Sequence, residues 1–207
     1  IPTVALLEKL QLPIEFVYPM VGHAALSEHG ARFPDASKAQ VDEADATFFG
    51  STSGQSTEAL FYLRWGKQTY ANVRPCQFRP GYRSPMANPD NIDFVVVREN
   101  LEDLYLGLEG DLTDLASLNL YSKHAKTALK DMGAGRYAIK VITEVGSERV
   151  IRFAFELARK RGGLRKVTLT SKYNMLAKAD GYFREIGFEV AKDYPDIAFE
   201  TFIVDDF

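Results

Sequence analysis

Apolar residues recur at helical spacing in some stretches of the chain and at strand-like spacing in others. Val4, Leu6, Leu7 and Leu10 share one face of a predicted helix over Val4–Leu10, after which Ile14–Tyr18 alternates as a strand would. A helix is predicted over Ser37–Glu43, followed by a short strand Ala46–Phe49, the loop Gly50–Thr57 and a helix Glu58–Trp65. A Gly/Ser/Thr loop between strand and helix lies where open α/β sheets bind ligands, though it reads also as a plain connection. The run Asp93–Val97 predicts a strand buried on both faces. From Glu99 to Lys140 the pattern breaks into short β-like pieces (Tyr105–Leu108, Leu118–Ser122, Tyr137–Ile142) separated by glycines, which predicts a protruding arm. Val150, Phe153, Ala154 and Leu157 then mark a helix opening at Gly146-Ser147-Glu148 and closing near Arg161, where basic residues precede Gly162-Gly163. Strand Lys166–Thr170, helix Met175–Val190 and strand Ile197–Val204 complete an α/β rhythm without internal repeats.

Composition narrows the class. The 207 residues carry 25 basic and 28 acidic side chains, a net charge of −3, which argues against a nucleic-acid binder. A hydrophobic fraction of 46% supports an ordinary globular core. The one cysteine, Cys76, excludes an internal disulfide framework or a Cys-based zinc cluster and fits a reducing compartment, cytoplasm or mitochondrial matrix. No apolar run approaches the ~20 residues of a membrane helix, and residues 1–20 lack a basic segment ahead of an apolar one. A soluble protein is expected. His23, His29 and His124 lack metal-ligand spacing, and the loop Gly50–Thr57 lacks the Gly-Lys-Ser/Thr of a P-loop.

The informative chemistry is a set of cations at element ends: Arg64, Arg74 within Asn72-Val73-Arg74-Pro75, Arg98 closing the β-branched run, and Lys172 just past a strand, with Tyr105 nearby in sequence. Each arginine alone is ordinarily a solvated or ion-paired side chain. Together the three arginines can form the planar, multiply donating clamp that a small polycarboxylate requires.

These residues resemble a known family. Asn72-Val73-Arg74-Pro75, the stretch Val97–Gly107, Gly146-Ser147-Glu148-Arg149 through Lys160, Ser171–Leu176, Tyr194-Pro195-Asp196-Ile197 and Val204-Asp205 look like the isocitrate and isopropylmalate dehydrogenases, in family order along nearly the whole chain. The resemblance implies a two-domain α/β fold with a β arm. Residues 1–68 would be part of the first, nucleotide-side domain, and 69–207 the second, dimerisation and substrate domain with its arm at about 99–140. It implies NAD- or NADP-dependent oxidation of a 2-hydroxy acid with a carboxylate on the next carbon, then loss of carbon dioxide to give a 2-oxo acid. Arg64, Arg74 and Arg98 would grip the substrate carboxylates, a positioning worth several orders of magnitude in rate. Asp205 would ligate Mg²⁺ or Mn²⁺, a Lewis acid for the charge left on oxygen. Tyr105 would protonate the enol carbon, and Lys172 would assist removal of the hydroxyl proton, a task that needs desolvation or nearby cations to lower a lysine pKa. Asn174 would approach the nicotinamide ribose. By residue type alone, Tyr105 reads equally as a β residue, Lys172 as a surface lysine and Asp205 as a strand-end cap.

In the family the lysine and the first metal aspartate reach into the partner's active site, so a homodimer with shared sites is expected, its arms pairing about a twofold axis. The family's opening Gly-Asp-Gly-Ile-Gly-Pro and its later metal aspartates are absent from the sequence, so the resemblance implies truncation at both ends and an isolated chain that does not turn over. Glu58 and Leu60 stand where isocitrate enzymes place a serine and an asparagine ahead of the first arginine. A carboxylate there repels a third substrate carboxylate, and Leu60 with Phe61 offers an apolar wall, which favours an isopropylmalate-like pocket. The segment 146–196 reads closer to isocitrate enzymes, and Gln68 and Tyr173 depart from both, leaving homoisocitrate and tartrate open. Two other classes stay in view: a non-catalytic regulatory subunit or pseudoenzyme of the same fold, and a dicarboxylate-binding module without nucleotide.

Overall fold

The computed structural model describes residues 2–50 and 54–206. Contacts divide the chain into two units, Ile1–Lys67 and Gln68–Phe207.

The first unit is helical among its described residues. It contains α1 (Pro2–Lys9), α2 (Gly22–His29), α3 (Asp35–Glu43) and α4 (Thr57–Phe61), the last running into a π-helical turn, Tyr62–Gly66. Phe33, Val41 and Ala59 form its buried centre, with Val21, Phe49, Tyr62 and Leu63 packed around them. The predicted strands Ile14–Tyr18 and Ala46–Phe49 do not form; both segments run without ladder partners among the described residues. Alternation marks which face a strand would bury, but it cannot supply the neighbouring strand that a sheet needs. Helix α2 escaped the periodicity because its apolar residues Ala24, Ala25 and Leu26 are consecutive and form no helical stripe. Its one readable signal is Gly30, which closes it in a left-handed conformation (φ 72°) with its N–H donating to the Leu26 carbonyl. Part of the predicted loop Gly50–Thr57, residues 51–53, lies outside the described residues.

In the second unit, β1 (Ala71–Gln77) pairs antiparallel with β2 (Asp93–Glu99). Strand β1 was not anticipated, because Pro75 interrupts it and proline demotes a strand pattern to an edge. Strand β2 corrects the expectation of burial on both faces. Phe94 and Val96 are exposed, whereas Val95, Val97 and Glu99 are half-buried on the other face, the alternation of a two-stranded antiparallel ribbon. The arm comprises β3 (Glu109–Asp111) paired with β6 (Arg136–Ala138) and β4 (Tyr121–Ser122) paired with β5 (Thr127–Ala128). Tyr105 is on no strand: it sits in a 3₁₀ turn, Asp103–Leu106, opened by Asp103 at φ 64° and closed by Gly107 at φ 66°.

Helix α5 (Glu144–Arg161) starts two residues before the predicted Gly146. Thr143 caps it, its hydroxyl oxygen accepting the Gly146 N–H at 3.0 Å. At Gly146 the Glu102 carboxylate occupies the space that a Cβ would fill, and it accepts the Thr143 N–H at 3.0 Å, so a side chain there would have to displace it. The helix ends as expected at Gly162. A β-α-β unit follows: β7 (Lys166–Ser171), α6 (Ala179–Ala191) and β8 (Ala198–Ile203), with β7 and β8 parallel and Ser171 opposite Ile203. Helix α6 begins four residues later than predicted, because residues after Lys172 form a turn in which the Met175 and Leu176 N–H groups both donate to the Lys172 carbonyl at 3.0 Å.

The core of this unit joins α5, α6, β7 and β8. Phe155 is wholly buried, stacked on Tyr194 at 4.7 Å between ring centroids and tilted against Phe199 at 5.6 Å. The motif Tyr194-Pro195-Asp196-Ile197 is explained here as packing. Tyr194 and Ile197 are in the core, and Asp196 takes two bonds from Arg159, from Nη2 at 2.6 Å and Nε at 3.2 Å. That guanidinium holds the Asp196 carboxyl below its ordinary range.

Candidate active site

The register of the β1–β2 ribbon determines where its arginines stand. Asn72 lies opposite Arg98 and Arg74 opposite Val96, so with the two-residue repeat of a strand Asn72, Arg74 and Arg98 share one face. The other face carries Val97, which packs against the α5–α6 core. The polar face is therefore turned away from the core, and its side chains are linked. The Asn72 amide oxygen accepts from Arg74 Nε at 3.1 Å, and its nitrogen donates to Asn100 Oδ1 at 3.4 Å. The same Asn100 oxygen accepts from Arg98 Nη2 at 2.8 Å, and Asn100, 7% exposed, anchors to the Thr69 carbonyl at 3.0 Å.

Arg98 also meets Tyr105. Its Nη1 donates to the Tyr105 hydroxyl oxygen at 3.1 Å, and its guanidinium carbon lies 4.7 Å from the ring centroid. The phenol accepts this bond through oxygen, so its own O–H is the proton it has to give. The Nε of Arg98 is buried with no hydrogen-bond partner, so the guanidinium has donor capacity that its protein neighbours leave unused.

Lys172 follows β7 and Asp205 follows β8. Because these strands are parallel and adjacent, both residues lie beyond carboxyl ends of the same pair of strands. Their side chains form an ion pair. Asp205 and its neighbour Asp206 are exposed oxygen donors, the chemistry a hard divalent cation takes. Among the described residues no three His, Cys, Asp or Glu side chains gather as a metal cage. Asn174 is exposed in the turn after Lys172.

Arg64 belongs to the first unit and sits in the π-helical turn Tyr62–Gly66, an irregularity frequent at functional sites. That turn is held by Asp42, which accepts from the Tyr62 hydroxyl at 2.7 Å and pairs with Lys67 at 2.6 Å. The Lys67 bond, and then the Tyr62 bond, lower the Asp42 carboxyl below its usual range, while the same carboxylate raises the Tyr62 phenol. Gly66 is needed because a Cβ would lie 2.7 Å from a Tyr62 ring carbon.

Structure thus joins Arg98 to Tyr105, Arg74 to both through Asn72 and Asn100, and Lys172 to Asp205. Sequence reading missed Asn72 and Asn100 as partners of the arginines, although both stand inside the family-like motifs. A cleft between α5 and α6, lined by Glu144, Glu148, Arg152, Tyr182, Glu185 and Glu189, contains none of the predicted residues.

Comparison with known proteins agrees with this arrangement of motifs. The profile of the isocitrate/isopropylmalate dehydrogenase family matches residues 3–207. The chain is 38% identical over 203 residues to 3-isopropylmalate dehydrogenase of Archaeoglobus fulgidus, covering 97% of this chain and 54% of that protein. It is 35% identical over 206 residues to 3-isopropylmalate/3-methylmalate dehydrogenase of Methanocaldococcus jannaschii, covering 98% of this chain and 55% of that one. The crystal structure of isocitrate dehydrogenase from Methylococcus capsulatus superposes with a TM-score of 0.70 at 33% identity, over 98% of this chain and 56% of that structure. The chain spans about half the length of these relatives. With its motifs in order and its α/β architecture shared, the chain belongs to the isocitrate/isopropylmalate dehydrogenase family.

Proposed function

We propose that this chain supplies the substrate clamp and the proton-transfer groups of an NAD(P)-dependent, decarboxylating 2-hydroxy acid dehydrogenase, with a 3-isopropylmalate-type substrate favoured over isocitrate. The observation that carries the reading is the Arg98–Tyr105 contact on the exposed polar face of the β1–β2 ribbon, a carboxylate-binding cation bonded to a proton-bearing hydroxyl. Arg74 and Arg98 bind substrate carboxylates from that face, and Arg64 is a third carboxylate-binding cation. Lys172 assists removal of the proton of the substrate hydroxyl. Tyr105 then delivers its O–H proton to the carbon that has lost carbon dioxide, at a position set by the same guanidinium that orients the carboxylate. Nicotinamide supplies the hydride acceptor when bound, with Asn174 near its ribose. A divalent Mg²⁺ or Mn²⁺ ion, with Asp205 among its ligands, supplies Lewis-acid polarisation of the substrate oxygen when bound.

Lys172 and Asp205 serve the partner's site in a homodimer, while the arginines and Tyr105 serve their own. We extend the reading to residues 1–68 as nucleotide-side domain, 69–207 as the dimerisation and substrate domain, and a cytoplasmic or matrix setting. No helix among the described residues is long and apolar enough to cross a membrane.

The preference for isopropylmalate rests on the wall beside Arg64. Glu58 is exposed one helical turn before Tyr62, and Phe61 packs edge-on against Trp65 at 5.1 Å, over which the Arg64 guanidinium lies at 6.0 Å. An apolar branch fits that wall better than a third carboxylate facing Glu58. The test is reduction of NAD and NADP by the full-length protein with Mn²⁺, against 3-isopropylmalate, isocitrate, homoisocitrate and tartrate. Turnover of 3-isopropylmalate at a kcat/KM at least about tenfold above that for isocitrate is expected from one pocket contact of this kind. Substrate binding without turnover of any of the four would replace this reading with a regulatory subunit.

A further inference from the structure

Asp180 is a buried carboxylate that the chemistry above leaves unused. It is 3% exposed, in the first turn of α6, and each of its oxygens is engaged. Oδ2 accepts the main-chain N–H of Lys172 at 2.8 Å, and Oδ1 lies 2.6 Å from the ammonium of Lys140. Its main chain is tied to the same turn: its N–H donates to the Leu176 carbonyl at 2.9 Å, and its carbonyl accepts the Ser171 hydroxyl at 3.3 Å. Lys140 stands at the base of the arm, 3.5 Å from the carboxylate of Asp103, the residue that opens the 3₁₀ turn carrying Tyr105. The Asp103 N–H donates to the Val141 carbonyl at 3.0 Å, so the two strands of chain are bonded side by side where Lys140 leaves them. One ammonium therefore bridges the turn that presents Lys172 and the turn that presents Tyr105.

We propose that Asp180 and Lys140 are positioning residues for the proton-transfer groups: Asp180 fixes the main chain of Lys172, which serves the partner's site, and Lys140, shared between Asp180 and Asp103, locks that turn to the one bearing Tyr105, which serves its own. A carboxylate buried this deeply is stable only when paired and hydrogen-bonded, and it holds its partners in one geometry. A buried lock suits a base whose side chain is long and whose own ion pair, with Asp205, is exposed. The proposal rests on the reading of Lys172 and Tyr105 as proton-transfer groups.

The experiment compares steady-state kinetics and thermal midpoints of the full-length protein carrying Asp180→Ala, Asp180→Asn, Lys140→Met, or Asp180→Asn with Lys140→Met, alongside Lys172→Met. Misplacement by about 1 Å costs about 100-fold in rate, so Asp180→Ala is expected to lower kcat by about 10–100-fold per folded molecule, with KM changed less than about threefold. The double variant keeps an oxygen for the Lys172 N–H and leaves no buried charge unpaired, only the exposed carboxylate of Asp103, so it is expected to fold and to exceed the product of the two single effects in kcat. A kcat per folded molecule equal to wild type in Asp180→Ala would overturn the positioning role. So would a double variant whose kcat equals the product of the single effects, or losses confined to KM. Retention of turnover in Lys172→Met would instead overturn the underlying assignment of Lys172, and the two failures are thereby told apart.

Discussion

Replacing Lys172 by methionine is expected to lower kcat by about 10²–10⁴-fold, the usual contribution of a positioned proton-transfer group. Methionine keeps most of the length and apolar stem of lysine but can neither accept nor deliver a proton. The fold should survive the change. Lys172 lies past the end of β7 with its side chain 34% exposed and its Asp205 partner 59% exposed, and ion pairs with such access to water contribute little to stability. Its main-chain bond to Asp180 is unaffected by the side chain. Initial rates of nucleotide reduction, read beside the thermal midpoint, check the prediction. A folded Lys172→Met protein within tenfold of wild-type kcat would remove Lys172 from the chemistry.

Phe155→Ala is expected to destabilise the protein by about 3–5 kcal/mol, the range for truncating a fully buried aromatic. Phe155 has no exposed surface, stacks on Tyr194 and touches Phe199, so its loss opens a cavity between α5, β8 and the chain leading into β8. Collapse around it is resisted on the far side, where Gly187 brings α6 so close to the sheet that a Cβ would lie 2.7 Å from Leu169 and 2.9 Å from Phe199. A loss of that size is a large share of the ~5–15 kcal/mol that separates folded from unfolded domains. Denaturant titration measures it through the midpoint at unchanged slope. A change below 1 kcal/mol would mean that this cluster does not organise the strand ends bearing Lys172 and Asp205.

Where local signals and packing agreed, elements were readable in the sequence. Helix α5 has a helical apolar stripe, a basic last turn and Gly162, and it ends where these say; β7 and β8 are short apolar runs that found each other as parallel neighbours. Elements that depend on distant partners were not readable. Pro75 concealed β1, whose pairing comes from β2, with partners such as Gln77 and Asp93 far apart in sequence, while Ile14–Tyr18 had the pattern of a strand and no partner among the described residues. Tyr105 favours strands as a residue type, yet the left-handed Asp103 and Gly107 fold its segment into a 3₁₀ turn and aim it at Arg98.

The candidate site divides along the same line. Its cations and its tyrosine were nameable from motifs, because their chemistry is local. That Arg74 and Arg98 share a face followed only from the β1–β2 register, and the Asn72–Asn100 link spans 28 positions. Asp180 and Lys140 carried no sequence signal, since an aspartate in a first helical turn and a lysine near an arm are ordinary until a fold brings them within 2.6 Å.

The most direct test of the proposed chemistry is the ratio of carbon dioxide released to nucleotide reduced by the full-length protein with 3-isopropylmalate and Mn²⁺. Oxidation coupled to decarboxylation predicts one molecule of carbon dioxide for each hydride transferred. Nucleotide reduction without carbon dioxide would contradict the assignment of Tyr105 and Lys172 to a decarboxylating reaction.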